Sequence, residues 1–192
     1  MARRRVAVVG GGGLRPPNEL RGDAAPRPVS TSVFIGLGAN LGDAPATLRA
    51  AAEVLASADG LSGVRCSRLY RTPAWGWEDQ PDFVNAVATG VTALAPRALL
   101  DLLLDIECRF GRARAADGRD RWGPRPLDLD LLLYGDAQIA LPGLTVPHPY
   151  LHARAFALVP LLDLAPEVRI PGIGPAADAL ARVDRGGIEA LR

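Results

Sequence analysis

Lysine is absent from the 192-residue sequence, so all 22 cationic side chains are arginines. Arginine stays protonated at physiological pH, and its planar guanidinium group suits phosphate or carboxylate ligands. The absence of lysine therefore excludes any mechanism in which a lysine side chain gives or takes a proton. Binding of anions by guanidinium groups remains open.

Cysteine is also scarce. Cys66 and Cys108 are the only two, which is too few for a disulfide framework, and neither has a partner at metal-ligand spacing. Both are expected to be reduced thiols in the core.

Strong net charge and long apolar runs are missing as well. A formal charge of +1 excludes the basic surface that duplex nucleic acid requires. No apolar run approaches the ~20 residues that cross a bilayer, and the short apolar stretch near the N-terminus is cut by four glycines. We expect a cytoplasmic protein with no nucleic-acid or membrane partner. The sequence does not determine the oligomeric state, and a monomer is our starting expectation.

The first 31 residues differ in composition from the rest of the chain. They are rich in glycine, proline and arginine and lack a helical or alternating period, which predicts a flexible extension. Gly10 to Gly13 follow an apolar stretch, as in a dinucleotide-binding motif. Pro16 and Pro17, however, stand where the phosphate-binding helix would begin. We therefore expect one folded domain over residues 32–192.

From residue 33 onward the hydrophobic pattern alternates between strands and helices. Strands are predicted at residues 33–37, 64–70, 83–92 and 127–134. Helices are predicted from the cap Asp43 to about residue 58 and over residues 96–109. This order predicts a ferredoxin-like α+β domain, a split β-α-β arrangement with helices on one face of an antiparallel sheet. Short strands near residues 137–140 and 143–146, and helices near residues 153–162 and 175–182, are predicted to follow.

Two carboxylates stand out on the last of the four main strands. Asp128 and Asp130 alternate with leucines, so both should project from one face of the sheet. Such a pair repels itself unless cations lie nearby, and hard oxygen ligands suit Mg²⁺. An exposed polar edge, or neutralisation by arginines, explains the spacing equally well.

A cluster of arginines precedes this strand. Six of them fall between residues 109 and 125, opposed there by only two aspartates, and glycines punctuate the segment. A loop of guanidinium groups beside paired carboxylates can hold a polyphosphate from one side while metal ions hold it from the other, as phosphoryl or diphosphoryl transfer requires. The pairing of this cluster with Asp128 and Asp130 favours a nucleotide-phosphate site over a merely solvated loop.

The segment Arg121-Trp122-Gly123-Pro124-Arg125-Pro126-Leu127-Asp128-Leu129-Asp130-Leu131-Leu132 resembles the signature of 6-hydroxymethyl-7,8-dihydropterin pyrophosphokinases. The resemblance extends over most of residues 33–167. Other stretches that carry it are Gly36-Leu37-Gly38-Ala39-Asn40-Leu41-Gly42, Tyr70-Arg71-Thr72-Pro73, Asp79-Gln80-Pro81-Asp82-Phe83-Val84-Asn85-Ala86 and Val146-Pro147-His148-Pro149.

The resemblance implies an ATP-dependent enzyme of folate biosynthesis that pyrophosphorylates 6-hydroxymethyl-7,8-dihydropterin. It implies two Mg²⁺ ions held by Asp128 and Asp130, with Arg112 and Arg125 on the transferring phosphates. The implied ATP contacts are Glu107, Arg114, Arg121, Leu131, His148 and Arg154. The implied pterin contacts are Thr72, Pro73, Trp75, Phe83, Asn85, Trp122 and Phe156.

The chemistry of several residues agrees with these roles. A flat pterin needs ring faces and an amide that reads its 2-amino-4-oxo edge, which Phe83, Phe156 and Asn85 provide. The phenylalanines could equally be core residues, and His148 a turn residue. Glu107, close to a helix C-terminus, is badly placed for the helix dipole and needs an arginine or a ligand hydroxyl nearby.

The sequence also departs from the family pattern. Leu104 stands where the family often has glutamine. The loop before Arg121 is longer than in compact members, so Arg119 could take its place. Two other functions stay open: a ferredoxin-like module that binds RNA or a nucleotide without catalysis, and phosphotransfer to a different acceptor. The first leaves Asp128 and Asp130 unexplained.

Overall fold

The computed structural model describes residues 30–74, 79–113 and 123–191. Its centre is an antiparallel sheet. The main strands are β1 (Thr31–Ala39), β2 (Leu61–Cys66), β3 (Tyr70–Thr72), β4 (Phe83–Thr92) and β5 (Asp128–Tyr134). β4 and β1 are central, β5 pairs with the other side of β1, and β2 and β3 share the outer side of β4. Treated as one broken strand, β2 and β3 complete the ferredoxin-like order that the sequence predicts.

Two helices cover one face of this sheet. Helix α1 (Ala44–Ser57) begins at Asp43, whose side chain accepts a hydrogen bond of 3.0 Å from the Ala46 main-chain N–H. Helix α2 (Pro96–Arg109) begins with a proline, which suits the first turn. Each helix buries one apolar stripe against alternate residues of β1, β4 and β5, and together these residues form the larger core.

The opposite face carries a second, smaller core. Helix α3 (Ala155–Leu164) packs on β4 over Val87, and the short helix α4 (Ala176–Leu180) packs against α3. Between β5 and α3 lie the hairpin of β6 (Ile139–Leu141) and β7 (Leu144–Val146) and a 3₁₀ turn, Leu151–Ala153. The expectation of helices on one face is therefore wrong for the C-terminal part, because Val87 of β4 and Leu132 and Leu133 of β5 form an apolar surface that needs its own cover.

The second predicted strand also differs from the structure. The chain forms β2 at Leu61–Cys66 and β3 at Tyr70–Thr72 instead of one strand over residues 64–70. At the break, the Ser67 hydroxyl accepts the Val87 N–H at 3.0 Å and the Ser67 N–H donates to the Val87 carbonyl at 2.9 Å. These bonds satisfy the β4 backbone where the ladder is interrupted.

The C-terminus returns to the sheet. After the two-residue pair β8 (Arg169–Ile170) and β9 (Gly174–Pro175), strand β10 (Glu189–Ala190) pairs with β3. Across residues 30–74, 79–113 and 123–191, no helix combines the length and apolarity needed to cross a membrane. The predicted extension lies, apart from residues 30 and 31, outside the described residues.

Candidate active site

A cavity opens between the sheet and helix α3. It encloses about 650 Å³ of empty space, part of it open to solvent. Its walls combine glycines of β1, an amide and aromatic rings, two carboxylates and two arginines. The lining residues are Gly36, Leu37, Gly38, Thr72, Pro73, Phe83, Asn85, Ala86, Arg125, Asp128, Asp130, Leu132, Arg154, Phe156 and Ala157.

The floor of the cavity is a row of paired residues across three strands. Gly38 of β1 pairs with Asn85 of β4 on one side and with Asp128 of β5 on the other. Directly paired residues project from the same face of a sheet, and neighbouring strands lie ~4.8 Å apart. An amide and a carboxylate therefore stand about two strand spacings apart, with a bare glycine between them. The site has a flat middle and two chemically different ends.

The glycine in the middle of this row cannot easily be replaced. A β-carbon built on Gly38 would lie 3.0 Å from the Asn85 Oδ1 atom and 3.9 Å from the Asp128 Cβ atom. One on Gly36 would meet only the Leu132 side chain, at 3.4 Å. The close contact at Gly38 keeps the floor free of side chains where the amide and the carboxylate converge.

Asp128 is held by two arginines. Arg112 Nη1 donates to Asp128 Oδ1, and Arg125 Nε lies 3.3 Å from Asp128 Oδ2. Burial lowers the pKa of Arg112, but the adjacent Asp128 and Glu107 carboxylates outweigh burial and the net shift is upward. Asp128 thus has a fixed orientation with one edge toward the cavity.

Asp130 has a different environment. Arg154 Nη1 lies 3.4 Å and His148 Nε2 3.8 Å from its Oδ2 atom. Burial, followed by the negative charge of Asp128, raises the pKa of Asp130 to about 6, although 37% of its side-chain surface is still accessible from the cavity. Arg154 itself is buried, which lowers its pKa. The charged form of Asp130 is therefore disfavoured in the ligand-free site, mainly by burial.

Glu107 contacts the strand that carries Asp128 and Asp130 and the arginine that holds Asp128. Its carboxylate, 1% exposed, accepts the Leu129 N–H at 2.7 Å and an Arg112 Nη1–H at 2.8 Å. The positive charge of Arg112 compensates the unfavourable interaction of the Glu107 carboxylate with the C-terminal end of the α2 dipole. Glu107 thus links α2, the outer edge of β5 and the arginine that holds Asp128.

The other end of the cavity suits a flat polar ring. The Asn85 amide donates to the buried Thr72 hydroxyl at 2.8 Å, which fixes the orientation of the amide. The Arg125 guanidinium lies 5.3 Å from the centre of the Phe83 ring, and that of Arg154 lies 5.5 Å from the Phe156 ring. Each ring thus connects this end to an arginine of the carboxylate end.

Residues 34–166 match the model of the 7,8-dihydro-6-hydroxymethylpterin-pyrophosphokinase family. The chain belongs to this family. It is 44% identical over 159 residues to 2-amino-4-hydroxy-6-hydroxymethyldihydropteridine pyrophosphokinases of Methylorubrum extorquens and Pseudomonas aeruginosa. The matches cover 83% of this chain and 98% and 96% of those proteins.

Solved structures agree on the fold. A crystallised HPPK-DHPS chain of Plasmodium falciparum superposes with a TM-score of 0.62 at 14% identity, over 82% of this chain and 45% of that chain. The present chain thus spans less than half of that longer protein, and the likeness concerns the fold alone. The predicted family and α+β architecture are confirmed.

Just over half of the site residues implied by the resemblance to pyrophosphokinases meet in the cavity. Nine of them lie in its walls: Thr72, Pro73, Phe83, Asn85, Arg125, Asp128, Asp130, Arg154 and Phe156. Arg112 and His148 are not among the wall residues, but Arg112 contacts Asp128 and His148 lies near Asp130. Arg114, Arg121, Trp75 and Trp122 lie outside the described residues, as does Arg119.

Two implied nucleotide contacts have unexpected positions. The Leu131 side chain, 4% exposed, belongs to the core under α1 and α2, on the face opposite to Asp128 and Asp130. A nucleotide contact at this residue would have to use its main chain. Glu107, also buried, is engaged with Arg112 and Leu129.

Sequence reasoning gave no role to three residues of the β1 end. Gly36 and Gly38 form the cavity floor, and Asn40 bonds to segments 40 and 85 residues away. The signal was present, since glycines that alternate at the end of a strand predict a close approach on one face.

The carboxylates fit a hard divalent cation. No group of three or more His, Cys, Asp or Glu side chains able to hold a metal ion, and hence no closed cage, occurs in the described part of the chain. Two aspartates beside an open cavity match Mg²⁺, which usually takes one or two carboxylates and completes its shell with phosphate oxygens and water. The raised pKa of Asp130 agrees with a site built for a cation.

Proposed function

We propose that this pyrophosphokinase transfers the terminal diphosphate of ATP to 6-hydroxymethyl-7,8-dihydropterin, giving AMP and the pterin diphosphate, as a step of folate biosynthesis. The observation that carries the proposal is the row Asn85–Gly38–Asp128 across the cavity floor. It presents an amide for a heteroaromatic ring at one end and a paired-carboxylate site at the other.

The amide end recognises the pterin. The Asn85 amide and the Thr72 hydroxyl, both nearly buried, can pair with the 2-amino-4-oxo edge of the ring. Phe83 and Phe156 supply apolar faces for the flat heterocycle, and Pro73 closes one side. With its edge at Asn85, the ring directs its hydroxymethyl group along the glycine floor toward Asp128.

The carboxylate end holds the triphosphate. Asp128 and Asp130 would hold two Mg²⁺ ions, which neutralise charge on the phosphates and on the attacking oxygen. Arg112 and Arg125 lie against Asp128, and Arg154 lies against Asp130. These guanidinium groups are positioned to contact the transferring phosphates. Glu107, His148 and the main chain at Leu131 are proposed to support the nucleotide, with Arg114 and Arg121 as further contacts.

The reaction needs positioning and charge neutralisation rather than a covalent enzyme intermediate. The hydroxymethyl oxygen forms a bond to the β-phosphorus and loses its proton, while the bond from that phosphorus to the α,β-bridging oxygen breaks and AMP leaves. Arg125 spans both ends, since its Nε contacts Asp128 and its guanidinium lies over Phe83. Trp75 and Trp122 complete the proposed pterin contacts.

The setting of the enzyme is part of the same proposal. We propose a cytoplasmic monomer that acts on small molecules without a nucleic-acid or membrane partner, and the formal charge of +1 supports the lack of a nucleic-acid partner.

Substitution of the paired carboxylates tests the site. Asp128→Asn and Asp130→Asn should each lower kcat by at least about a hundredfold while the fold is kept, because each removes a proposed metal ligand. Asp136→Asn is the matched control, since Asp136 is exposed just beyond the same strand. Equal activity of all three variants, or full activity in excess chelator, would contradict the proposal.

A further inference from the structure

Asn40 lies at the end of β1 with only 6% of its surface exposed. A buried amide must find partners for its donors and its acceptor. Asn40 Nδ2 donates to Gln80 Oε1 at 3.0 Å and to the Pro81 carbonyl at 3.1 Å. Its Oδ1 accepts the Arg125 N–H at 2.8 Å, and its own N–H donates to the Arg125 carbonyl at 3.1 Å. One side chain therefore joins two segments that are 45 residues apart in sequence.

Both segments lead directly into the site. Gln80 and Pro81 precede Phe83, the first residue of the strand that carries the pterin-facing side chains. Arg125 lies 3.3 Å from Asp128 through its Nε atom and covers the Phe83 ring at 5.3 Å. Asn40 thus holds the backbone of the arginine that spans both ends of the cavity, and it holds it against the entry to the ring-binding strand.

Asn40 would influence the ligands only indirectly. It does not belong to the residues that line the cavity within the described part of the chain. It differs in this from Asn85, whose amide faces the ligand space. Any effect of Asn40 on binding must pass through the positions of Arg125 and of the segment before Phe83.

We propose that Asn40 is a positioning residue that couples the pterin end of the cavity to the phosphate end. The inference rests on the proposed function, because coupling has meaning only if both ligands bind. Movement of the Gln80–Pro81 segment when a ring binds at Phe83 and Asn85 shifts the Asn40 amide, and Oδ1 carries that shift to the Arg125 backbone. An amide suits this place because its two N–H groups bond to Gln80 and Pro81 while its oxygen accepts from Arg125, whereas a hydroxyl has only one donor.

The coupling can be measured as a ratio of affinities. The dissociation constant of a non-hydrolysable ATP analogue with Mg²⁺ is determined by calorimetry with and without saturating 6-hydroxymethyl-7,8-dihydropterin. In the wild type the two constants should differ by at least about fivefold, the lower end of usual coupling between sites. In Asn40→Ala the ratio should fall to within about twofold of one, and kcat should fall more than the KM for ATP rises.

Matched variants separate positioning from loss of stability. Thr89→Val removes another buried side-chain bond, from Thr89 Oγ1 to the Val33 carbonyl at 3.0 Å, between residues that do not line the cavity. It should lower stability yet keep the affinity ratio and kcat. Gln80→Ala removes one donor contact and keeps the Arg125 contact, so its ratio should be intermediate. Asn40→Asp keeps an acceptor for the Arg125 N–H but loses both donated bonds, to Gln80 and to Pro81, so its ratio should lie closer to one than that of Gln80→Ala.

The outcomes distinguish this inference from the proposed function. A wild type that produces no AMP refutes the proposed function. A wild type that is active but shows no coupling, or an Asn40→Ala variant with the wild-type ratio and kcat, refutes the role of Asn40 alone. If Asn40→Ala does not fold, Gln80→Ala and Asn40→Asp decide, and wild-type ratios in both would overturn the inference.

Discussion

At the residue scale, the site depends on charges that are buried before any ligand arrives. Glu107 is the clearest case, because its carboxylate is 1% exposed and has Arg112 and the Leu129 N–H as partners. Removal of the Glu107 charge leaves the buried Arg112 with Asp128 as its remaining carboxylate partner in this contact, which costs more than the loss of a surface pair.

Substitution of Glu107 should therefore lower the stability of the fold. Glu107→Gln keeps an acceptor for Leu129 but removes the charge opposite Arg112, and we expect the unfolding free energy in urea to fall by about 1–3 kcal/mol. Asp105→Asn on the same helix, at an exposed ion pair with Arg109, should change it by less than about 0.5 kcal/mol. Equal effects of the two variants would show that Glu107 is not a structural anchor.

Asp130 should make the stability of the ligand-free protein depend on pH. Its pKa is raised to about 6 by burial and by Asp128, so the folded state binds this proton more tightly than the unfolded state does. The unfavourable contribution is absent below about pH 4 and grows as the pH rises through 6. Asp130→Asn removes it, so the stability of the variant relative to wild type should increase between about pH 4.5 and 7.5. A difference that stays constant or decreases across this range, measured by urea unfolding, would contradict the assignment.

The sequence predicts these residues unevenly. Strand alternation alone places Asp128 and Asp130 on one face, and the structure agrees. The contact of Glu107 with Leu129 depends on how α2 packs along β5, and no local sequence pattern predicts that packing. The bonds of Asn40 to Gln80 and Arg125 span 40 and 85 residues, so only the assembled fold reveals them.

At the element scale, strands β4, β1 and β5 act as one recognition surface because their register aligns Asn85, Gly38 and Asp128. A one-residue slip would turn every one of these side chains to the other face. The break between β2 and β3 was missed by the pattern of residues 64–70. It depends on bonds between Ser67 and Val87 that belong to tertiary structure.

Gly38 tests the shared floor. Gly38→Ala places a β-carbon 3.0 Å from Asn85 Oδ1, so the amide must move away from the pterin edge. We expect the KM for the pterin to rise about tenfold, equivalent to about 1.4 kcal/mol, with a smaller change for ATP. In the comparison variant Gly36→Ala, the new β-carbon meets a leucine side chain at 3.4 Å, and the pterin KM should rise less. A larger effect at Gly36 would contradict this geometry.

A second set of hydrogen bonds joins strand β3 and the residues before it to helix α3. Arg68 donates to both Asp163 oxygens at 3.0 and 2.8 Å, and the Tyr70 hydroxyl donates to Oδ2 at 2.6 Å. These hydrogen bonds, above all those from Arg68, lower the pKa of Asp163. Its stabilising contribution is present above the unfolded pKa and is lost as the pH falls through the folded one.

Asp163→Asn should expose this contribution. The variant should lose about 1–2 kcal/mol of unfolding free energy near pH 7, and the loss should shrink as the pH falls below the ordinary carboxyl range and the wild-type carboxyl is protonated. Asp101→Asn, an exposed position on α2, is the control and should stay close to wild type across this range. A loss that does not depend on pH would mean that the charge of Asp163 is not the source.

At the scale of the whole molecule, the two cores have different tasks. The larger core packs α1 and α2 against one face of the sheet, while the smaller core under α3 leaves part of the other face open as a cavity. The first core follows the βαββαβ pattern and was predictable. The second depends on turn-rich segments after residue 135, whose short elements carry weak periodicity.

The most direct test is the fate of the β-phosphorus of ATP. The full chain is incubated with Mg²⁺, 6-hydroxymethyl-7,8-dihydropterin and ATP labelled at the β-position, and the products are separated. The predicted result is AMP without label, in equal amount to a labelled pterin diphosphate, with no product in excess chelator. Formation of ADP, or AMP with labelled free diphosphate and no labelled pterin, would contradict a site that brings the pterin hydroxyl and the β-phosphate together.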